Sequence, residues 1–170
     1  LDNNKDKVEE MLKNSQLDPN CQNENGDNCL HLMAQMPNFN FDIFYSLPKV
    51  EALNAKNSHN DYPLNTAVKF NNLTAFKEFF NKTHNLELIS LINNQDTEGK
   101  TALHWALLHM NKYIIIALLK NNADIKLEDK NGTTAQKLSY KLSLIPFKSK
   151  LMKIIVEDYI PQEIIIKDLN

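Results

Sequence analysis

The sequence of 170 residues has no arginine, three glycines and two cysteines. Arginine is the side chain that most often recognises phosphates and bases, and the net charge of −2 gives no electrostatic attraction to nucleic acid. Cys21 and Cys29 are too few to make a disulfide framework, which favours a reducing compartment. We therefore expect a cytoplasmic protein that does not bind nucleic acid.

Long apolar runs are missing as well. No stretch approaches the roughly 18 apolar residues of a membrane-spanning helix, and the start does not have the pattern of a signal peptide. We therefore expect no membrane insertion. The chain begins at Leu1 in a helical pattern, so we expect it to be a piece of a longer protein. Its 42% hydrophobic and 24% charged residues are typical of a globular domain.

An internal repeat is the main feature that is present. Gly26, Asn60, Gly99 and Gly132 open similar segments, with spacings of 34, 39 and 33 residues. The clearest segment reads GKTALHWAL at 99–107, and an Asp- or Asn-containing signature precedes each copy. Glycine adopts positive φ without strain and asparagine tolerates it best among other residues, so this position predicts a tight turn in every copy.

These segments resemble the ankyrin repeat, whose pattern is D-x-x-G-x-T-P-L-H-x-A, an apolar helix and then G-A-D-V-N. Residues 96–128 match over their full length, whereas the other copies depart from the pattern. In the second copy, for example, Asn60 replaces the glycine and Asn65 the histidine. The resemblance implies an all-α solenoid of stacked helix-turn-helix units with β-hairpin-like loops.

On this resemblance, residues 1–170 form a single ankyrin-repeat domain. Its expected parts are a partial leading repeat at 1–22, repeat 1 at 23–56, repeat 2 at 57–95, repeat 3 at 96–128, a capping repeat at 129–160 and a tail at 161–170. Repeat 2 is expected to carry an insertion at 81–91. The apolar pattern at 149–159 predicts the closing helix of the capping repeat.

No catalytic constellation is visible in the sequence. It has no phosphate-binding glycine loop, paired-histidine metal motif or nucleophile elbow. His31 and His104 fall at the family's histidine, which by resemblance bonds to the backbone of a neighbouring hairpin. His104 and His109 are five residues apart and do not share a helix face. We expect no catalysis, cofactor or metal here, and we favour a core position for Trp105 over partner contact.

In the ankyrin family, hairpin tips and the exposed side of the first helices line a concave groove that grips protein partners. The positions that match in this chain, called the candidate groove below, are Asp27, Gln35, Met36, His59, Asp61, Lys69, Phe70, Glu98, Lys100, Leu108, His109 and Lys130. Met36, Phe70 and Leu108 are taken to share one repeat position. They are therefore expected to form an apolar stripe along the groove.

The resemblance implies a monomeric protein-binding module. The composition, typical of A/T-rich codons, and the degenerate repeats also resemble ankyrin domains of effectors that intracellular bacteria inject into host cells. Such a module would recruit a host protein in the host cytoplasm or nucleus. Two alternatives remain open. One is an inhibitor of a transcription factor that resembles the NF-κB-inhibitor ankyrin proteins. The other is the substrate-recruiting arm of an enzyme whose catalytic domain lies outside this chain.

Overall fold

Seven α-helices connected by hairpins and short loops make up the described part of the chain. The computed structural model describes residues 20–37, 39, 41, 50–83 and 85–143. The helices are α1 Cys29–Ala34, α2 Pro63–Lys69, α3 Leu73–Lys82, α4 Asn85–Ile92, α5 Ala102–His109, α6 Lys112–Lys120 and α7 Ala135–Ser143, with a 3₁₀ turn at Val50–Asn54 before α2. Among these residues the only β pairing is the isolated bridge between Glu128 and Thr134. The all-α prediction is confirmed.

Some predicted segments cannot be compared with the structure. The leading repeat up to residue 19, the closing helix at 149–159 and the tail at 161–170 lie outside the described residues.

Each hairpin is closed by one Asn or Asp side chain. In repeat 3, Oδ1 of Asp96 accepts hydrogen bonds from the backbone N–H groups of Glu98 and Lys100, both at 2.8 Å. The same pair of bonds is made in the other hairpins by Asn23, Asn57 and Asp129. Three residues further on, Gly26, Asn60, Gly99 and Gly132 all have positive φ, between 61° and 76°. The predicted turn position is therefore confirmed in all four copies.

One backbone hydrogen bond joins each hairpin to the one before it. The three bonds run from Ser58 N to Asn25 O at 2.9 Å, from Thr97 N to His59 O at 3.0 Å and from Lys130 N to Glu98 O at 2.9 Å. Close contact at these junctions gives glycine a second role, because a Cβ added to Gly99 would lie 2.8 Å from Lys130 N. Gly132, by contrast, has no atom of the described residues near the place where a Cβ would be.

The helices stack as the repeat predicts. The first helices α1, α2, α5 and α7 pack in that order, and α3 and α6 pack against the first helices of their own repeats. Apolar positions at helical spacing supply the core, as in α6, where Ile114, Ile115 and Leu118 are fully buried. Phe41, which follows α1 in the chain, reaches this core and lies edge-on to Phe79 with ring centroids 5.9 Å apart.

The segment 81–91, assigned above to an insertion, includes the end of α3 and most of α4. Helix α4 packs against α2, and its Leu88, Leu91 and Ile92 are buried. The extra residues of repeat 2 therefore add a short helix to the core instead of forming a loop on the surface.

Candidate functional site

Four candidate-groove residues from repeats 2 and 3 meet around one tryptophan. With two further side chains they form what is called here the tryptophan cluster: Asp61, Lys69, Asp96, Lys100, Trp105 and His109. Lys69, at the end of α2, extends back along its helix so that Nζ lies 3.1 Å from Asp61 Oδ2 and 3.6 Å from Asp96 Oδ2. One ammonium group is thus shared by two buried carboxylates from neighbouring repeats.

Trp105 lies at the centre of this cluster. Its indole Nε1 donates to Asp96 Oδ2 at 2.9 Å, and Nζ of Lys69 and of Lys100 lie 5.3 and 5.1 Å from the ring centroid. Ammonium groups at that distance are attracted to the electron-rich face of an aromatic ring. The side chain is half-buried and packs against the core, as predicted, but it also contacts residues of the candidate groove.

His109 connects the same cluster to α2. Its Nε2 lies 2.8 Å from the carbonyl oxygen of Lys69, and its ring stacks on Trp105 with centroids 6.4 Å apart. The carbonyl oxygens at the end of a helix have no partner within the helix, so a donor from the next repeat satisfies one of them. His109 is exposed while it makes this contact, which leaves it open to solvent beside the tryptophan.

The electrostatics of the cluster centre on the buried carboxyl group of Asp61. The pKa of Asp61 is raised above its usual value chiefly by burial, and the nearby charge of Asp96 raises it further. The charge and hydrogen bond of Lys69 act in the opposite direction. Lys69 compensates the burial of both carboxylates, and Asp96 also accepts hydrogen bonds from Trp105 Nε1 and from two backbone N–H groups.

The predicted apolar stripe is wrong in its register. Counted from the turn residues Gly26, Asn60 and Gly99, Met36 and Phe70 lie ten residues on, whereas Leu108 lies nine residues on. The helix ends agree, because Asn71 and Met110 are the left-handed residues that follow α2 and α5. Leu108 therefore corresponds to Lys69, and His109 corresponds to Phe70.

The three apolar side chains also differ in exposure. Phe70 is 53% exposed and Leu108 is 42% exposed, so both remain available on the surface. Met36 is only partly buried, but it packs against the hydrophobic core. The backbone oxygen of Met36 accepts a hydrogen bond from Asn72, which caps α3.

The remaining candidate-groove residues form two groups. Asp27 and Gln35 bond to each other at 3.1 Å, and Asp27 also accepts from the amide of Asn57 at 2.8 Å, so both are held in place. His59, Glu98 and Lys130 are exposed at the hairpin tips, where Glu98 pairs with Lys100.

The histidine at the fifth position after the turn has the structural role expected for it. In repeat 3, Nδ1 of His104 accepts from Thr101 N at 3.1 Å, and Nε2 donates to Thr133 O in the next hairpin at 3.0 Å. His31 makes the equivalent pair, with Asn28 N and Asp61 O. Since a carbonyl can only accept, each ring carries its proton on Nε2.

Asp96 and Trp105 are not among the candidate-groove residues that the sequence predicts. One signal was available for Trp105, because it precedes His109 by four residues and so shares its helix face. The position of Asp96 depends on how two repeats stack, and no local pattern encodes that contact.

A comparison with known families agrees with this geometry. A family model described as ankyrin repeats, in three copies, matches residues 38–129, which is more than half of the chain. Ankyrin repeats are generally protein–protein interaction modules rather than catalytic domains. In the part of the chain that the structure describes, no helix has the length and apolar character needed to cross a bilayer. With its hairpins, paired helices and bridging histidines, this chain belongs to the ankyrin-repeat family.

Proposed function

We propose that this chain recognises a partner protein through the candidate groove in repeats 2 and 3. The observation that carries the proposal is the connected tryptophan cluster, in which Lys69, Lys100 and His109 surround a half-buried aromatic ring. Tryptophan is enriched among the residues that dominate interface energies, and a rigid surrounding lowers the entropy lost on binding.

Two exposed apolar side chains favour partner binding at the same face of the molecule. Phe70 directly follows Lys69 in the chain, and Leu108 directly precedes His109, so each is the sequence neighbour of a residue in the tryptophan cluster. A partner that covers Phe70 and Leu108 removes apolar surface from water, which is the main favourable term in most protein associations. The neighbouring charged groups then supply specificity more than affinity.

The test starts from a partner captured with the wild-type chain and measures its Kd against two variants. Phe70→Ser with Leu108→Ser should raise the Kd at least about thirtyfold, or about 2 kcal/mol, while the melting temperature stays nearly the same. Tyr113→Ser is the matched control, because Tyr113 is 70% exposed on α6 and lies outside the candidate groove. Equal affinity of all three proteins would contradict the proposal.

Within this role we assign the chain to a larger protein that uses it to recruit a target, such as a bacterial effector acting in the cytoplasm or nucleus of a host cell. Support comes from the composition typical of A/T-rich codons and from the degenerate repeats, of which only residues 96–128 follow the family pattern throughout. Reading the gene on both sides of this segment tests the assignment. A gene limited to ankyrin repeats would favour the inhibitor alternative, and an adjoining catalytic domain would favour the recruiting arm of an enzyme.

A further inference from the structure

Two hairpins carry the dipeptide Asn-Gly at the same repeat position. Asn25-Gly26 lies in the first described hairpin and Asn131-Gly132 in the last. Both asparagines are exposed, and both glycine N–H groups donate across the turn, from Gly26 N to Asn23 O at 2.8 Å and from Gly132 N to Asp129 O at 2.9 Å. Within each turn the two sites are therefore equivalent.

The surroundings of the two dipeptides differ. The following hairpin covers Asn25-Gly26, because Ser58 N donates to Asn25 O and lies 2.9 Å from the place where a Cβ of Gly26 would be. Among the described residues, Gly132 has no atom within 4 Å of the corresponding place. Among the described residues, no backbone N–H donates to Asn131 O. The peptide group that joins Asn131 to Gly132 is consequently freer to rotate than the one after Asn25.

We propose that Asn131 is a site of spontaneous deamidation in the folded protein and that stacking of the next hairpin protects Asn25. In the first step the backbone nitrogen of Gly132 loses its proton and bonds to Cγ of Asn131, and the side-chain nitrogen leaves as ammonia with a proton. The product is a five-membered imide. Water then opens the imide at one of its two carbonyl carbons, giving aspartate or isoaspartate, and no oxidant or reductant is needed.

Glycine favours this reaction because it has no Cβ to hinder the approach of its nitrogen. The attack still requires the peptide group between Asn131 and Gly132 to turn towards the side chain. At the first hairpin that rotation must break the bond from Ser58 N and displace backbone atoms that already lie close.

The products change the last hairpin in two ways. Either product places a carboxylate beside Lys130, a residue of the candidate groove. Isoaspartate also adds a methylene group to the backbone between the N–H groups of Asn131 and Thr133, which both donate to Asp129 Oδ1. Modification at this site therefore changes both the charge and the shape of the exposed tip.

The experiment incubates the full chain at mildly alkaline pH and follows both sites by mass spectrometry after cleavage at lysine. Cleavage after Lys130 and Lys137 isolates residues 131–137, and cleavage after Lys13 and Lys49 isolates residues 14–49 with Asn25. Asn131 should deamidate at least about tenfold faster than Asn25, equivalent to about 1.4 kcal/mol in activation free energy. The variant Asn131→Gln confirms which residue gives the signal, since its longer side chain closes a less favourable ring.

A parallel incubation in denaturant separates the effect of the fold from that of neighbouring residues. The two rates should become similar when the hairpins no longer stack. Similar rates in the folded chain, faster reaction at Asn25, or a ratio that persists in denaturant would each overturn the proposal.

Discussion

Repeats 2 and 3 follow the same path with different side chains. In repeat 3, Gly99 turns the hairpin and His104 bridges to the next hairpin while it also accepts from Thr101 N. In repeat 2 the corresponding residues are Asn60 and Asn65, and the shorter side chain of Asn65 reaches Leu91 O in α4 instead. The added helix α4 therefore supplies an acceptor for Asn65, whereas in repeat 3 the next hairpin supplies the acceptor for His104.

Hydrogen bonding in repeat 2 is also less complete than in repeat 3. Among the described residues, the buried side-chain oxygens without a hydrogen-bond partner are Asn65 Oδ1 and Thr66 Oγ1, and both lie in α2. Side-chain amides partly offset this, since Asn60 Nδ2 donates to Gln95 O and Asn94 Nδ2 donates to Asn60 O, both at 2.6 Å. A repeat that departs from its family pattern can keep its shape if amide side chains bridge the hairpins.

The largest expected effect comes from filling the turn of repeat 3. Gly99→Ala should lower the free energy of unfolding by on the order of 3 kcal/mol or more, because its Cβ would collide with backbone and its φ is positive. Gly132→Ala shares the φ cost, but its Cβ would meet no atom of the described part of the chain, so about 1 to 2 kcal/mol is expected. Urea denaturation of both variants measures the difference, and equal losses would show that stacking is not tight at Gly99.

The second prediction compares the bridging side chains. His104→Ala should cost about 1 to 3 kcal/mol, because it leaves Thr101 N and Thr133 O without their partner. Asn65→Ala should cost less, since it removes one hydrogen bond together with an oxygen that already lacks a partner. His109→Ala, at an exposed position, should stay within about 0.5 kcal/mol. The same urea titrations rank the three, and His109→Ala as the most damaging would contradict the contacts described.

At acidic pH, a histidine and an asparagine at the repeat position of His104 and Asn65 should affect stability differently. Burial lowers the pKa of His104 and His31 below 6.5, and bonds to backbone carbonyls offset this only in part. The unfolded chain then binds more protons than the folded chain, so stability is fully present above pH 6.5 and falls as the pH drops through the lowered pKa.

His104→Asn, which places the repeat 2 residue in repeat 3, should therefore make the loss of stability below pH 6.5 less steep. The change in slope is at most about 1.4 kcal/mol per pH unit, the value for one proton. Melting temperatures measured across this range for both proteins give the comparison. An unchanged slope would mean that His104 does not contribute to acid sensitivity.

The smallest effect is expected at the turn of repeat 2. Asn60→Gly relieves the cost of positive φ but removes the bond from Asn60 Nδ2 to Gln95 O. These effects oppose each other, so the free energy of unfolding should stay within about 0.5 kcal/mol of wild type. A large loss would show that the amide bridge is essential to this junction.

Much of the fold could be predicted because its signals are local and periodic. Asp96 and Gly99 encode one hairpin within a few residues, and His104 lies where its ring reaches the next hairpin. The helical character of 85–92 was harder to predict, because the segment has no counterpart in the other repeats.

The candidate site was predicted less well. Leu108 was placed one residue out of register, and the contact between Trp105 and Asp96 arises only when the repeats stack.

The backbone hydrogen bond at each hairpin junction provides an amide hydrogen whose exchange reports the opening of that junction. The amide hydrogens of Ser58, Thr97 and Lys130 each lie at a different junction. Each amide can exchange with solvent only when its own junction opens, locally or with the whole chain. The exchange rates of these three amides therefore measure the free energy of opening at each of the three junctions. Cooperativity along the solenoid can be followed one interface at a time without altering a residue.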